Sequence, residues 1–219
     1  MLGCELQRVP NGQRVAFALL ILVRFGIIII SYSVICMPAL LGGAMLSSID
    51  IANLFIVKYG NELRLTNLSL NKQVYFAQVE SLRRFDEPLF LDAIEAWEYG
   101  PVEPAVYHAF KKYGRLPVRK PCTTMETGVH FSDKVEAAVD SVVEKYGSLT
   151  AYDLVEISHR EGGAWRNKYI PGKDVEITIE DIRQSKDFTS DPDVSKTLFA
   201  NILEVEKEWS NTLKMLGDA

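Results

Sequence analysis

Cysteine is scarce in this chain: Cys4, Cys36 and Cys122 are the only three, with no CxxC among them. That excludes a disulfide-stapled scaffold and a cysteine-rich zinc module, and one cysteine beyond position 44 suits a reducing compartment. Histidine is equally thin, since His108, His130 and His159 fall in different segments and none has a second Cys or His at zinc-ligand spacing. No metal ligands are therefore expected. The chain also lacks a GxSxG elbow, a Walker-type phosphate loop and a dinucleotide fingerprint; Gly162 and Gly163 follow a helical segment and not a strand. Positive charge is short as well. The formal net charge is -5, and beyond position 44 the balance is 21 basic against 28 acidic residues. A groove tracking a phosphate backbone needs clustered cations, so no nucleic acid partner is expected. Glu95 and Glu98 lie close in sequence and Cys122 sits in a loop rich in Pro and Thr, but neither has the neighbouring group that acid–base or nucleophilic chemistry requires. No catalytic residue and no cofactor is expected, and the chain reads as non-enzymatic.

What is present first is a long apolar run. Residues 25–46, FGIIIISYSVICMPALLGGAML, carry no charge over 22 positions and follow Arg8, Arg14 and Arg24. At about 1.5 Å per residue such a helix would cross a hydrocarbon core of about 30 Å. Pro38 and the pair Gly42-Gly43 argue against an unbroken helix. Three readings stay open for the apolar leader, residues 1–44: a signal anchor with its arginines on the cytoplasmic side, a cleaved signal peptide, and a spurious extension upstream of a start at Met45. Localisation follows from that choice. It is cytoplasmic if the chain starts at Met45, and membrane-anchored through residues 25–46 if the leader is real.

From Met45 the pattern is mainly helical. Ser47 and Ser48 cap a helix with Ile49, Ala52, Phe55, Ile56 and Tyr59 on one face, closed at Gly60 in the left-handed conformation. Thr66 or Asn67 caps a second, with Leu70, Val74, Tyr75 and Ala77 on its apolar face, which places Asn71, Lys72 and Gln78 on or near its solvent side. Leu89–Trp97 is short and mixed, and reads as a strand or extended connection. Gly100-Pro101 breaks the chain and favours a fresh helix start over Val102, Val106, Phe110 and Tyr113. Leu116–Arg119 and Val129–Phe131 flank a loop and read as a small hairpin. Ser132 caps a helix faced by Val135, Val139, Val142 and Tyr146, and Thr150 with Asp153 forms a capping box opening Ala151–His159. This pair has the layout of a helix-turn-helix, but its second helix carries Asp153 and Glu156, so plain packing is the favoured reading. Trp165 reads as an anchor for its loop, and Thr178 caps ITIEDIRQ.

Asp187–Asp193 reads as a polar linker, dividing the chain into a domain over 45–187 and a C-terminal amphipathic helix over 188–219. In that last part Leu198, Ile202, Val205, Trp209 and Leu216 recur at spacings of about four and three with acidic flanks. The seam either covers the domain's own core or faces a partner. Leu198, Ile202, Glu204, Val205, Glu208 and Trp209 are the candidate partner contacts.

The blocks LTNLSLNKQVYFAQ, PLFLDAIEAWEYGPVEPAVYHAFKKYG, YGSLTAYDLVEISHREGGAW and ITIEDI follow one another between Leu65 and Ile182. In order and spacing they resemble the signature blocks of the Panacea domain, the SocA-like antitoxin family that includes phage-associated GepA-like proteins, and AWEYGPV is the most specific of them. The chain departs from that pattern at Gln73, at Ser158 where Thr is usual, and in an extra glycine before Trp165. The resemblance implies a compact multi-helix, mainly α domain with a small β hairpin, its scaffold shaped by Lys72, Tyr75, Trp97, Tyr99, Gly100, Pro101, Val102, His159 and Trp165. It also implies an antitoxin that neutralises a cognate toxin by direct protein–protein binding. In one branch of the family the antitoxin is in addition an adaptor to a cytoplasmic AAA+ protease. The rival reading is a DNA-binding transcriptional autoregulator of its own operon, using the helix pair 132–159.

Overall fold

The computed structural model describes residues 46–122, 131–195 and 197–208, with side chains as far as Glu204. The apolar leader, Val129 and His130 of the expected hairpin, and Trp209 and Leu216 of the seam lie outside the described residues. Helix α1 (Ser48–Tyr59) opens with a capping box between Ser47 and Asp50. It closes at Gly60 with φ -62°, right-handed where a left-handed closure was expected. Helix α2 (Asn67–Phe85) opens on a box between Thr66 and Ser69, and it is this helix that ends left-handed, at Asp86 with φ 57°.

Helix α2 is the axis of the fold. Helices α1, α3 (Pro104–Phe110), α4 (Asp133–Tyr146), α5 (Ala151–Ser158) and α8 (Lys186–Thr189) all pack on it. Every residue from Ser69 to Leu82 is buried. The expectation that Asn71, Lys72 and Gln78 face solvent is therefore wrong, for a clear physical reason. A helix enclosed on all sides has no solvent face, and its polar side chains are retained only where the interior supplies hydrogen bonds. Asn71 Nδ2 donates to Asn67 O at 2.9 Å, Gln78 Nε2 donates to Phe90 O at 2.9 Å, and Lys72 Nζ donates to Pro101 O at 2.7 Å. Tyr75 and Phe76 are core, as their spacing indicates.

Strands β1 (Glu95–Trp97), β2 (Gly100–Val102) and β3 (Val175–Glu176) form an antiparallel sheet in the order β2-β1-β3. Trp97 pairs with Gly100 and Glu95 with Val102, so Glu98 and Tyr99 are the hairpin tip. Gly100-Pro101 is thus a strand and not a helix start; the helix begins at Pro104, whose fixed φ and missing amide suit a first helical position. Among the described residues Leu116–Arg119 belongs to no strand, and its expected partner lies largely outside them. Val118 N instead donates to Leu65 O at 2.6 Å, tying this segment to the entrance of α2.

The caps at Ser132 and Thr150 start α4 and α5 as the sequence indicates, and Thr178 with Asp181 boxes α7 (Ile179–Arg183). Between them lies the short α6 (Ala164–Lys168). Part of the expected linker is helix α8, and its Asp187 is buried. Helix α9 (Leu198–Glu208) follows. Among the described residues no helix is long and apolar enough to cross a membrane.

Candidate partner-binding groove

Two pockets meet over the first turn of α2. One, of about 690 Å³, is lined by Trp97, Tyr99, Tyr107 and Tyr169 together with Lys111 and Lys173. The other, of about 770 Å³, is lined by Leu63, Val143, Leu149 and Tyr152 together with Arg64 and Gln73. Leu68, Gly114 and Arg115 line both, so the two are lobes of one groove with Arg115 at the junction.

Local sequence explains the rim. The two-residue hairpin tip holds Tyr99 out at 59% exposure, and the first turn of α5 holds Tyr152 out at 64%. After the single 3-10 turn Lys111–Tyr113, Gly114 takes φ 55°, which turns the chain and leaves Arg115 and Leu116 exposed. Gln73 lines the second lobe, and its side-chain oxygen is buried beneath the surface without a hydrogen-bond partner among the described residues.

Behind the first lobe lies a buried polar cluster. A Cβ on Gly100, which sits at φ 97°, would meet Ser158 Oγ at 2.5 Å and Lys72 Cε at 2.7 Å. Only a residue without a side chain lets the hairpin approach α2 and α5 so closely. Both Glu103 carboxylate oxygens are buried without a hydrogen-bond partner among the described residues, although the charge of Lys72 acts on them. Burial pulls the Lys72 ammonium down and pushes the Glu103 carboxyl up, each offset in part by the other's charge. The His159 ring stacks on Trp165 at 3.5 Å and 5°, and Trp165 stacks in turn on Tyr169 at 4.7 Å. Trp165 Nε1 donates to Trp97 O at 2.7 Å, so the anchor role holds and its target is β1. Burial, helped by the charges of Lys72 and Arg166, lowers His159 to about 4. The imidazole is therefore neutral near pH 7.

The scaffold candidates divide accordingly. Lys72, Tyr75, Gly100, Pro101, Val102 and Trp165 are interior, and Trp97 and His159 are half-buried beside them. Tyr99 is surface and belongs to the groove. Of the seam, Leu198 at 53% and Ile202 at 44% are exposed, with Glu204 beside them, while Val205 and Glu208 lie on the α9 backbone with side chains outside the described set. Among the described residues no group of His, Cys, Asp and Glu has the arrangement to hold a metal.

Asp187 is the residue that the sequence did not disclose. Its carboxylate accepts from Tyr75 Oη at 2.7 Å, from Arg160 Nε at 2.8 Å and from the Ala164 amide at 2.9 Å. Its local sequence, in which it is one of three aspartates in the polar stretch 187–193, carries no sign of this. Glu103 is equally hidden, because it falls inside the stretch after Gly100-Pro101 that reads only as a fresh helix.

No solved structure matches this chain. A curated protein of Caulobacter vibrioides (strain NA1000 / CB15N), described as "Antitoxin SocA", is 30% identical over 124 residues. That match covers 52% of this chain and 66% of the relative, so the chain spans just under two thirds of that protein's length. The profile of the family described as "Antitoxin SocA-like, Panacea domain" matches residues 70–166, from the second turn of α2 to α6. Over that span, which holds the helix axis, the hairpin, the lysine–glutamate cluster and the histidine–tryptophan stack, the chain is similar to the SocA-like Panacea domain family.

Proposed function

We propose that this protein is an antitoxin that holds a cognate toxin inactive by covering it, without making or breaking a bond. The observation that carries this reading is the family match over residues 70–166 together with the relative described as an antitoxin. The structure supports it in how its polar and apolar groups are distributed. Interior titratable groups such as Lys72, Tyr75, Asp187 and Arg160 are engaged with one another or with the backbone. Large side chains favoured at interfaces, Tyr99 and Tyr152 among them, are instead held out on a groove rim. A standard interface covers about 800 Å² per partner, and the groove and the exposed Leu198 and Ile202 of α9 are the surfaces we assign to it.

For the C-terminal contact we assign Leu198, Ile202, Glu204, Val205, Glu208 and Trp209. Delivery of the toxin to a cytoplasmic AAA+ protease would be a second step, visible as a shorter toxin half-life that lengthens again when the protease is removed. The test of the first step is co-expression with the product of each adjacent reading frame. One neighbour is expected to arrest growth alone and to be harmless with this protein, the two co-purifying. Rescue without any physical complex, or a purified protein that consumes the toxin's substrate, would overturn the reading. The DNA-binding alternative has less support: α5 has no Lys or Arg, and Lys134 and Lys145 of α4 are engaged by Glu87 and Glu80 at 2.8 Å each.

A further inference from the structure

Resting on the antitoxin reading, we propose that the Arg115 groove receives an extended segment of the partner in which one carboxylate is flanked on both sides by large apolar side chains. Shape supplies the first argument. Two lobes of about 690 and 770 Å³ are each lined largely by apolar or aromatic residues and joined over Leu68, which suits two anchors separated by a short connection. Charge supplies the second. The first lobe sets Lys111, Arg115 and Lys173 against Glu98 and Asp174, and the second sets Arg64 and Arg115 against Glu62, so each carries one cation in excess. Elsewhere the chain is acidic, with a net charge of -5 overall. Arg115 stands exposed at the junction with no ion pair to any described residue. Its planar fork matches a carboxylate, and the positive end of α2 lies beside it through Asn67 and Leu68. A nucleic acid strand would find aromatics here too, but its phosphates would face Glu62, Glu98 and Asp174.

The test is a random linear peptide display selection on the full chain, which needs no toxin. Enriched peptides are expected to carry an Asp or Glu between two large apolar residues. Arg115→Glu should weaken them at least about tenfold and, on reselection, favour a central Lys or Arg. Arg115→Lys should fall between, since it keeps the charge and loses the fork. Because Arg115 is exposed, the thermal midpoint of these variants should not move. Peptides with no central charge preference, unchanged binding to Arg115→Glu, competition by single-stranded oligonucleotides in place of peptides, or loss of binding only on Leu198→Asp would each overturn the proposal. Neutralisation by the Arg115→Glu chain separates the two readings. If it persists while peptide binding is lost, the groove is not the partner's site and the antitoxin reading stands.

Discussion

At the scale of single residues, the interior of α2 shows why pattern reading stops short. Hydrophobic periodicity located Leu70, Val74, Tyr75 and Ala77 correctly, because these are buried whichever elements surround them. It misplaced Asn71, Lys72 and Gln78, because the helix is enclosed on all sides, and the acceptors of Lys72 and Gln78 are carbonyls of Pro101 and Phe90, 29 and 12 residues further along the chain. Lys72→Met should lower stability by about 3 kcal/mol, since it leaves Glu103 buried without its countercharge. The double variant Lys72→Met with Glu103→Leu should recover part of that loss in urea unfolding; strictly additive effects would show that the two are not coupled. His159 makes a second prediction. Its folded value of about 4 lies below the ordinary 6.5, so between those values the unfolded chain binds a proton that the folded chain does not. Stability should accordingly fall as pH drops through that window, and His159→Phe, which keeps a ring on Trp165, should flatten the fall. Parallel urea midpoints for both chains across the window would refute this.

At the scale of elements, caps were the most legible feature. Ser47, Thr66, Ser132, Thr150 and Thr178 each start the helix that the sequence assigns them, because a cap is a contact between residues three apart. The hairpin was read as a break for the opposite reason: Gly100-Pro101 signals irregular backbone, and only pairing with β1 makes it a strand. Gly100→Ala should cost about 2–4 kcal/mol, combining a strained φ with an overlap against Ser158 and Lys72. Thermal unfolding measures it, and a loss below about 1 kcal/mol would mean the hairpin can withdraw. The short α8 makes the sharper case. Asp187→Ala leaves Arg160 and the Tyr75 hydroxyl without their shared acceptor, and about 3–5 kcal/mol should be lost. A chain ended after residue 187 also lacks Asp191, which accepts from Arg83 and Lys145. It should therefore unfold at lower urea than one ended after residue 197; equal midpoints would return this segment to the status of a linker.

At the scale of the molecule, the fold sets an apolar core threaded with buried polar groups behind an exposed groove and the exposed Leu198 and Ile202 of α9, and only the second of these surfaces follows a sequence pattern. The α9 seam was legible as a repeat of apolar residues with acidic flanks. The groove was not, because Tyr99, Arg115 and Tyr152 come from a hairpin tip, a glycine turn and a helix start that share no sequence pattern. If both faces grip the toxin, Leu198→Asp with Ile202→Asp should weaken the complex without moving the thermal midpoint, and calorimetry should find this loss additive with that of Arg115→Glu. The meeting of Tyr75 with Asp187 has a further consequence for how the protein is made. Those two positions are 112 apart, so a nascent chain emerging from the ribosome carries α2 long before the carboxylate that locks it has been synthesised. Until then the hydroxyl of Tyr75 and the guanidinium of Arg160 have no acceptor inside the protein, and closure waits on the last helices. Translation that stalls early would thus release a clippable polypeptide in place of the closed fold, making supply sensitive to interrupted synthesis. Pulse proteolysis of chains arrested before and after α8 would reveal that step.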